Sequence, residues 1–284
     1  MKYLKLFNTH AEYEAFTATT EFIKPNVSHC VQENEVHYNP FVPSETRLMV
    51  TYNVEDASQP TRLYYYEAEE GNEEWWTRGI DMFDKVEIDG TEVSVADLDA
   101  AEGMYQLTVG EHTVAYTLKD PTFIGLELDE QTGTPTKIGA IFMGCTAITS
   151  VTIPNSVTTI GERVFQYCNG LTSATIGSGV TSIGKGAFYG CSSLTSIDIP
   201  SGVTSIGGSA FSECGGLASV TIPDSVTTIG NGAFNSCSNL TSVTIGNGVT
   251  SIGKGAFGCC PLDAASKAAV EAINPNATGC SEPK

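Results

Sequence analysis

The chain has 284 residues, 41% of them hydrophobic, which suits about two globular domains and is too apolar for a disordered tail. Its net charge is −19, with 23 acidic against 8 basic residues in 1–121 and 10 against 6 in 122–284. Such a surface repels phosphate backbones and anionic lipid, which excludes nucleic-acid partners, and no apolar run is long enough to insert in a membrane.

Residues 1–45 read as a lead segment. Met1 to His10 holds one short apolar cluster and lacks the continuous apolar stretch and cleavage site of a secretion signal, so the compartment stays open. Ala11 to Phe16 is a short amphipathic helix candidate. His29, Cys30 and His37 lack the close pairing of metal ligands and read as loop polar residues. The run Asn8-Thr9-His10-Ala11-Glu12-Tyr13-Glu14-Ala15-Phe16, with Pro25-Asn26-Val27-Ser28-His29-Cys30, resembles lead segments of modular proteins from gut bacteroidetes and their phages.

Residues 46–121 are rich in β formers. Arg47 to Val54 and Thr61 to Tyr66 read as strands, Val86 to Val93 as a hairpin turning at Asp89-Gly90, and Tyr105 to Leu118 as a further pair. These strands fit a small immunoglobulin-like β-sandwich. Its last strand runs through Lys119-Asp120-Pro121 into the next domain, and so short a joint implies a fixed angle. Asp97 and Asp99 read as a solvated loop that falls short of a Ca²⁺ site.

From residue 122 to 260 the chain repeats. Phe142, Phe165, Phe188, Phe211, Phe234 and Phe257 recur every 23 residues, and Cys145, Cys168, Cys191, Cys214, Cys237 and Cys260 each follow three positions later. Each unit reads L-x-x-L-x-L, as in Leu240-Thr241-Ser242-Val243-Thr244-Ile245. Leu240, Val243 and Ile245 then face in and Thr244 faces out. A returning segment places Val249 and Ile252 inward, Gly253 opens a turn, and a short helical piece carries Ala256 and Phe257. One unit cannot bury these residues alone, whereas a stack can. Phe123, Leu126 and Leu128 repeat the spacing of Ile148, Val151 and Ile153, which predicts a degenerate first repeat followed by five full periods.

Residues 261–284 form a cap. Asp263 is the expected N-cap of a helix whose apolar stripe is Leu262, Ala265, Ala269 and Ile273, laid over the open edge of the last repeat. The fold class is therefore mixed and β-rich: a small sandwich followed by a solenoid with a C-terminal capping helix. The motifs L-T-S-V-T-I-P, V-T-x-I-G and A-F-x-x-C resemble the BspA-type leucine-rich repeats of surface and adhesin-like proteins. That resemblance implies contact with protein or glycan at a cell or virion surface, and it brings no catalytic residue.

Six cysteines stacked one per repeat keep their Cβ atoms parallel and too far apart for disulfides, so they read as a ladder of buried thiols. Cys259 and Cys280 fall outside that register and are free to pair; whether Cys259 or Cys260 does so stays open. Both tryptophans and nine of eleven tyrosines precede residue 122. Trp75 and Trp76, with Tyr64 and Tyr66, make one candidate contact patch flanked by acids. The other is the outward face of the solenoid, Thr152, Thr175, Asp198, Thr221 and Thr244, with a serine beside each; it is small, neutral and without aromatic anchors. The four histidines, at 10, 29, 37 and 112, lie outside the repeats and no phosphate loop occurs, so neither catalysis nor a cofactor is expected. A structural spacer that positions the N-terminal domain is the rival to a binding module.

Overall fold

The computed structural model describes residues 31–33, 36–38, 47–64, 83–101, 103–118, 123–124, 127–128, 135–137 and 141–280. The chain divides into two units, Met1–Glu45 and Thr46–Lys284. In the first, β1 (Val31–Glu33) and β2 (Val36–Tyr38) pair antiparallel. The helix candidate 11–16, His29 and Cys30 lie outside the described residues.

The second unit opens with β3 (Arg47–Val54), β4 (Thr61–Arg62), β5 (Phe83–Ile88), β6 (Thr91–Val93), a helix at Val95–Ala100, β7 (Met104–Tyr105) and β8 (Gly110–Leu118). Along β3 every second residue is buried (Leu48, Val50, Tyr52, Val54), the period of a strand with one face in the core. β3 and β5 flank β8, and β5 turns into β6 through Asp89 (φ 49°) and Gly90 (φ 77°). Two left-handed residues are what a two-residue hairpin turn requires. β4 pairs with β7 as a separate ribbon. It is tied to the sheet where Tyr52 and Tyr116 both donate to the Leu63 carbonyl, with the two buried hydroxyls 3.0 Å apart. Asp97 and Asp99 lie on the Val95–Ala100 helix, not in a loop; Ser94 Oγ accepts from the Asp97 N–H at 3.2 Å and caps it.

The repeats then begin after β9 (Phe123–Ile124), β10 (Glu127–Leu128) and β11 (Pro135–Lys137). The L-x-x-L-x-L segments give β12 (Ile148–Thr152), β14 (Ser173–Thr175), β16 (Ser196–Ile197), β18 (Ser219–Ile222) and β20 (Ser242–Ile245). The returning segments give β13 (Thr159–Ile160), β15 (Ser182–Ile183), β17 (Ser205–Ile206), β19 (Thr228–Ile229) and β21 (Ser251–Ile252). Each coil thus contributes to two parallel faces, with identical positions in register: Ser150 beside Ser173, and Ile160 beside Ile183. Close stacking explains the glycine of the I-G pair, since a Cβ on Gly207 would lie 2.6 Å from the Gly184 carbonyl carbon.

The third side of the coil is a stacked turn, where a short helical piece was expected. Residues on either side of each Ala-Phe pair take left-handed φ, for example Gly186 (62°) and Gly190 (72°), and a left-handed residue stops an α-helix. The alternate N–H groups bond to the next coil instead: Phe188 N–H donates to Ala210 O at 2.8 Å and Gly190 N–H to Ser212 O at 2.8 Å. Inside, the six phenylalanines are fully buried with ring centroids 5.1–5.4 Å apart and planes within 17° of parallel.

One expectation about the start of the solenoid is corrected. Phe123 and Ile124 pair with Thr159 and Ile160, on the returning-segment face, and not beside Ile148 and Val151. The place beside β12 belongs to β3, which joins it antiparallel, Val50 opposite Val151. One sheet therefore runs β16-β14-β12-β3-β8-β5-β6 across both halves, so what holds them together is shared strand pairing. The aromatic column continues as well: Phe142 meets Tyr116 edge-on at 5.3 Å, and Phe83 lies 4.5 Å from Tyr116. One hydrophobic core extends from Leu48 to Ala277.

At the other end the helix Ala264–Ile273 is N-capped by Asp263, which accepts from Ser266 N–H at 2.7 Å. Its buried residues are Ser266 and Val270, with Leu262 and Ile273 half-buried, while Ala265 and Ala269 face solvent. Ser266 is buried because its Oγ accepts from Val243 N–H at 2.8 Å, standing in for the carbonyl of a next strand. Asn274 Nδ2 donates to Ile252 O on the second face at 2.7 Å, and Phe257 N–H donates to Ala277 O at 2.8 Å on the turn side. All three ladders thus end on a partner.

Candidate functional site

The repeat cysteines are where chemistry would first be sought. Cys145, Cys168, Cys191, Cys214 and Cys237 are buried and unbridged, and Cys260 is half-buried. Each thiol after the first donates to the phenylalanine carbonyl of the preceding coil, as Cys191 Sγ does to Phe165 O at 3.1 Å and Cys214 Sγ to Phe188 O at 3.2 Å. Those carbonyls already accept from the cysteine N–H of their own coil, so the thiol fills a second lone pair. Burial pushes the Cys145 and Cys214 thiols up to about 12, which keeps them protonated and inert at neutral pH. Outside the register, Cys259 and Cys280 form a disulfide that ties the last coil to the cap.

The outward positions of the first face are exposed as expected: Thr152, Thr175, Asp198, Thr221 and Thr244. Thr152 pairs beside Thr175, and Thr221 beside Thr244. The face is not continuous, however. It is interrupted between β16 and β18, where Asp198 replaces a threonine and Ala218 replaces the residue whose hydroxyl elsewhere bonds the coil below (Thr172 Oγ1 to Thr149 O, 3.0 Å). Aspartate is a poor strand former and alanine brings no second bond. A cleft of about 270 Å³ opens there, lined by Ser196, Asp198, Ser219, Thr221 and Pro223.

The aromatic patch fares differently. Tyr64 is fully buried and its hydroxyl donates to Leu98 O at 2.9 Å, so it is a core residue and not a contact residue. Tyr66, Trp75 and Trp76 lie outside the described residues.

Sequence reasoning missed a third surface, on the turn side. Tyr167 is 45% exposed, and its ring meets Tyr189 edge-on at 5.2 Å. The Tyr189 hydroxyl donates to Glu213 Oε1, and that carboxylate holds the phenol above its ordinary pKa. These are the two tyrosines that follow residue 122, and they sit 22 residues apart in a repeat of 23, one position off register. That offset was the available signal: it places the rings diagonally on adjacent coils.

Residues 136–263 match the family described as BspA type leucine-rich repeat region, in six copies. No curated protein matches the chain. Among solved structures, a leucine-rich repeat protein of T. pallidum is 24% identical with a TM-score of 0.41, over 56% of this chain and 86% of its own. A leucine-rich repeat protein from Bacteroides ovatus is 24% identical with a TM-score of 0.35, over 52% of each chain. A leucine-rich cell surface protein from Faecalibacterium prausnitzii is 32% identical with a TM-score of 0.38, over 52% of this chain and 48% of its own. The chain spans about half the length of the latter two. The family match does not reach the segment at residues 8–30. No helix among the described residues is long and apolar enough to cross a membrane. Residues 136–263, a little under half of the chain, are thus similar to BspA-type leucine-rich repeats.

Proposed function

We propose that this protein is a non-enzymatic binding module that makes protein or glycan contacts at a cell or virion surface. The observation that carries this reading is the division of labour within each coil. Phenylalanine, cysteine and the aliphatic positions are sealed inside, and the outward positions stand exposed at the spacing of neighbouring coils. Such a rod offers area for contact, and burial holds its inner thiols Cys145 and Cys214 protonated. The likeness of residues 136–263 to BspA-type repeats supports a surface location.

A second reading, that the solenoid is a spacer or assembly component, is favoured by the β3–β12 pairing, which fixes the N-terminal sheet rigidly to the first coil. The test is to apply the full chain to glycan and host-protein arrays. The binding reading expects at least one reproducible ligand class; a blank on both arrays leaves the spacer. Trp75→Ala combined with Trp76→Ala then reports whether the acidic N-terminal half contributes.

A further inference from the structure

The turn side of the solenoid differs from its two strand faces in having an exposed aromatic anchor. Tyr167 (φ 59°) and Glu213 (φ 61°) occupy a left-handed position that neighbouring Gly190 fills without strain. A side chain strains the backbone there, so a bulky aromatic at such a site is set apart from the glycine of the next coil. The ring lies over Gly190, where an added Cβ would come within 2.6 Å of Tyr167 Cδ1. Bare backbone in one coil thus makes the bed for a tyrosine from the coil before it. Beside it, Gly186 is flanked by Arg163 and Tyr189, since a Cβ there would lie 3.4 Å from Arg163 Cγ and 3.7 Å from Tyr189 Cβ.

We propose that Tyr167, Tyr189, Arg163 and Glu213 form a saccharide-binding patch that takes an uncharged oligosaccharide. The flat, partly apolar face of a pyranose ring packs on an exposed aromatic face. Its hydroxyls need fixed donors and acceptors. Glu213 is held by Tyr189, which uses one of about four acceptor positions on the carboxylate, and Arg163 supplies donors. The same side of the rod continues, toward the cap, into a cleft of about 380 Å³ lined by Ser209, Asn231, Asn235 and Lys254, polar groups suited to further sugar units. The Glu213 carboxylate at the centre of the patch and the acidic balance of residues 122–284, 10 against 6, oppose anionic polysaccharides, which favours the uncharged class.

This inference deepens the binding reading above and rests on it. The test uses the full chain against linear glucan, xylan, mannan and galactan oligosaccharides of about four to six units, a span set by the coil spacing of about 4.8 Å, with isothermal titration on the best responder. Binding by the native chain, roughly tenfold weaker in Tyr167→Ala, is the expected result. Tyr167→Gly removes the same ring while relieving the left-handed residue, so it should lose binding equally with no loss of thermal stability. Tyr189→Phe, which keeps the ring and frees Glu213, should weaken binding by a smaller factor. Sugar binding indifferent to both Tyr167 variants overturns the patch and leaves the binding module intact. So does binding to proteins with none to these sugars. A blank on sugars and proteins alike overturns both readings.

Discussion

The antiparallel sheet of residues 47–118 and the coils of residues 141–260 use the same β-forming side chains, yet they are specified in different ways. In the coils each position meets its own copy from the neighbouring coil: Ile on Ile, Phe on Phe, Ser beside Ser. In the sheet no such rule sets the partners: Tyr52 lies opposite His112 and Val86 opposite Tyr116, residues that no sequence period relates. A repeat is a rule that extends itself, but it cannot end itself; its last copies always lack a neighbour. Here both ends are met by chain that does not repeat: β3 at one, and Asp263, Ser266, Asn274 and Ala277 at the other.

The largest expected effect comes from separating the two regions. A chain beginning at residue 122 loses β3, baring the edge of β12 and the Phe142 ring that Tyr116 covers. Unpaired strand edges recruit other chains, so that fragment should self-associate on size-exclusion chromatography and lack the thermal transition of the full chain. A monomeric, equally stable fragment would show the regions to be independent.

Within the coils, Phe188→Ala leaves a cavity between two stacked rings and should cost about 3–5 kcal/mol by urea denaturation. A loss below about 1 kcal/mol, within the range of ordinary surface substitutions and small repackings, would mean that the column is not a principal source of stability.

At the cap, Ser266→Ala removes the acceptor of Val243 N–H and leaves that buried donor unpaired, a loss of about 1–3 kcal/mol. Asn in that position, with an acceptor but more bulk, should recover part of it. If Ser266→Ala melts like the native chain, the helix covers the last coil by packing alone.

The smallest effect belongs to the irregular sheet. His112 Nδ1 lies 2.7 Å from the Asp89 carboxylate and Nε2 lies 2.9 Å from Thr108 O, acceptors on both sides that favour the protonated ring. Donating to the Asp89 carboxylate raises the His112 pKa, and accepting from His112 lowers that of Asp89. The histidine contribution is complete below about 6.5 and is lost as pH rises through its raised value; the aspartate contribution is present above about 3.9 and lost as pH falls through its lowered value. Stability from this pair should therefore peak between those limits and amount to less than about 1 kcal/mol in so exposed a place. Melting curves of His112→Ala should be flatter across that window; an unchanged profile would assign the pH dependence elsewhere.

The sequence by itself determined whatever depends on neighbours a fixed distance away. The 23-residue period, the inward Phe and Cys columns, the Asp89-Gly90 turn and the Asp263 N-cap are all local patterns, and the structure contains each of them. The tertiary structure alone decided which strand lies beside β12, because a hydrogen-bonded edge says nothing of which residue will fill it. The answer reaches back 98 residues, from Thr149 Oγ1 to Thr51 O. It also decided that Ser266 is core while Ala265 is surface, since polarity argues for exposure until a buried N–H needs an acceptor. For the same reason Tyr64 went inside, where the Leu98 carbonyl receives its hydroxyl, while Tyr167, on the stacked turn outside the phenylalanine column, stayed exposed.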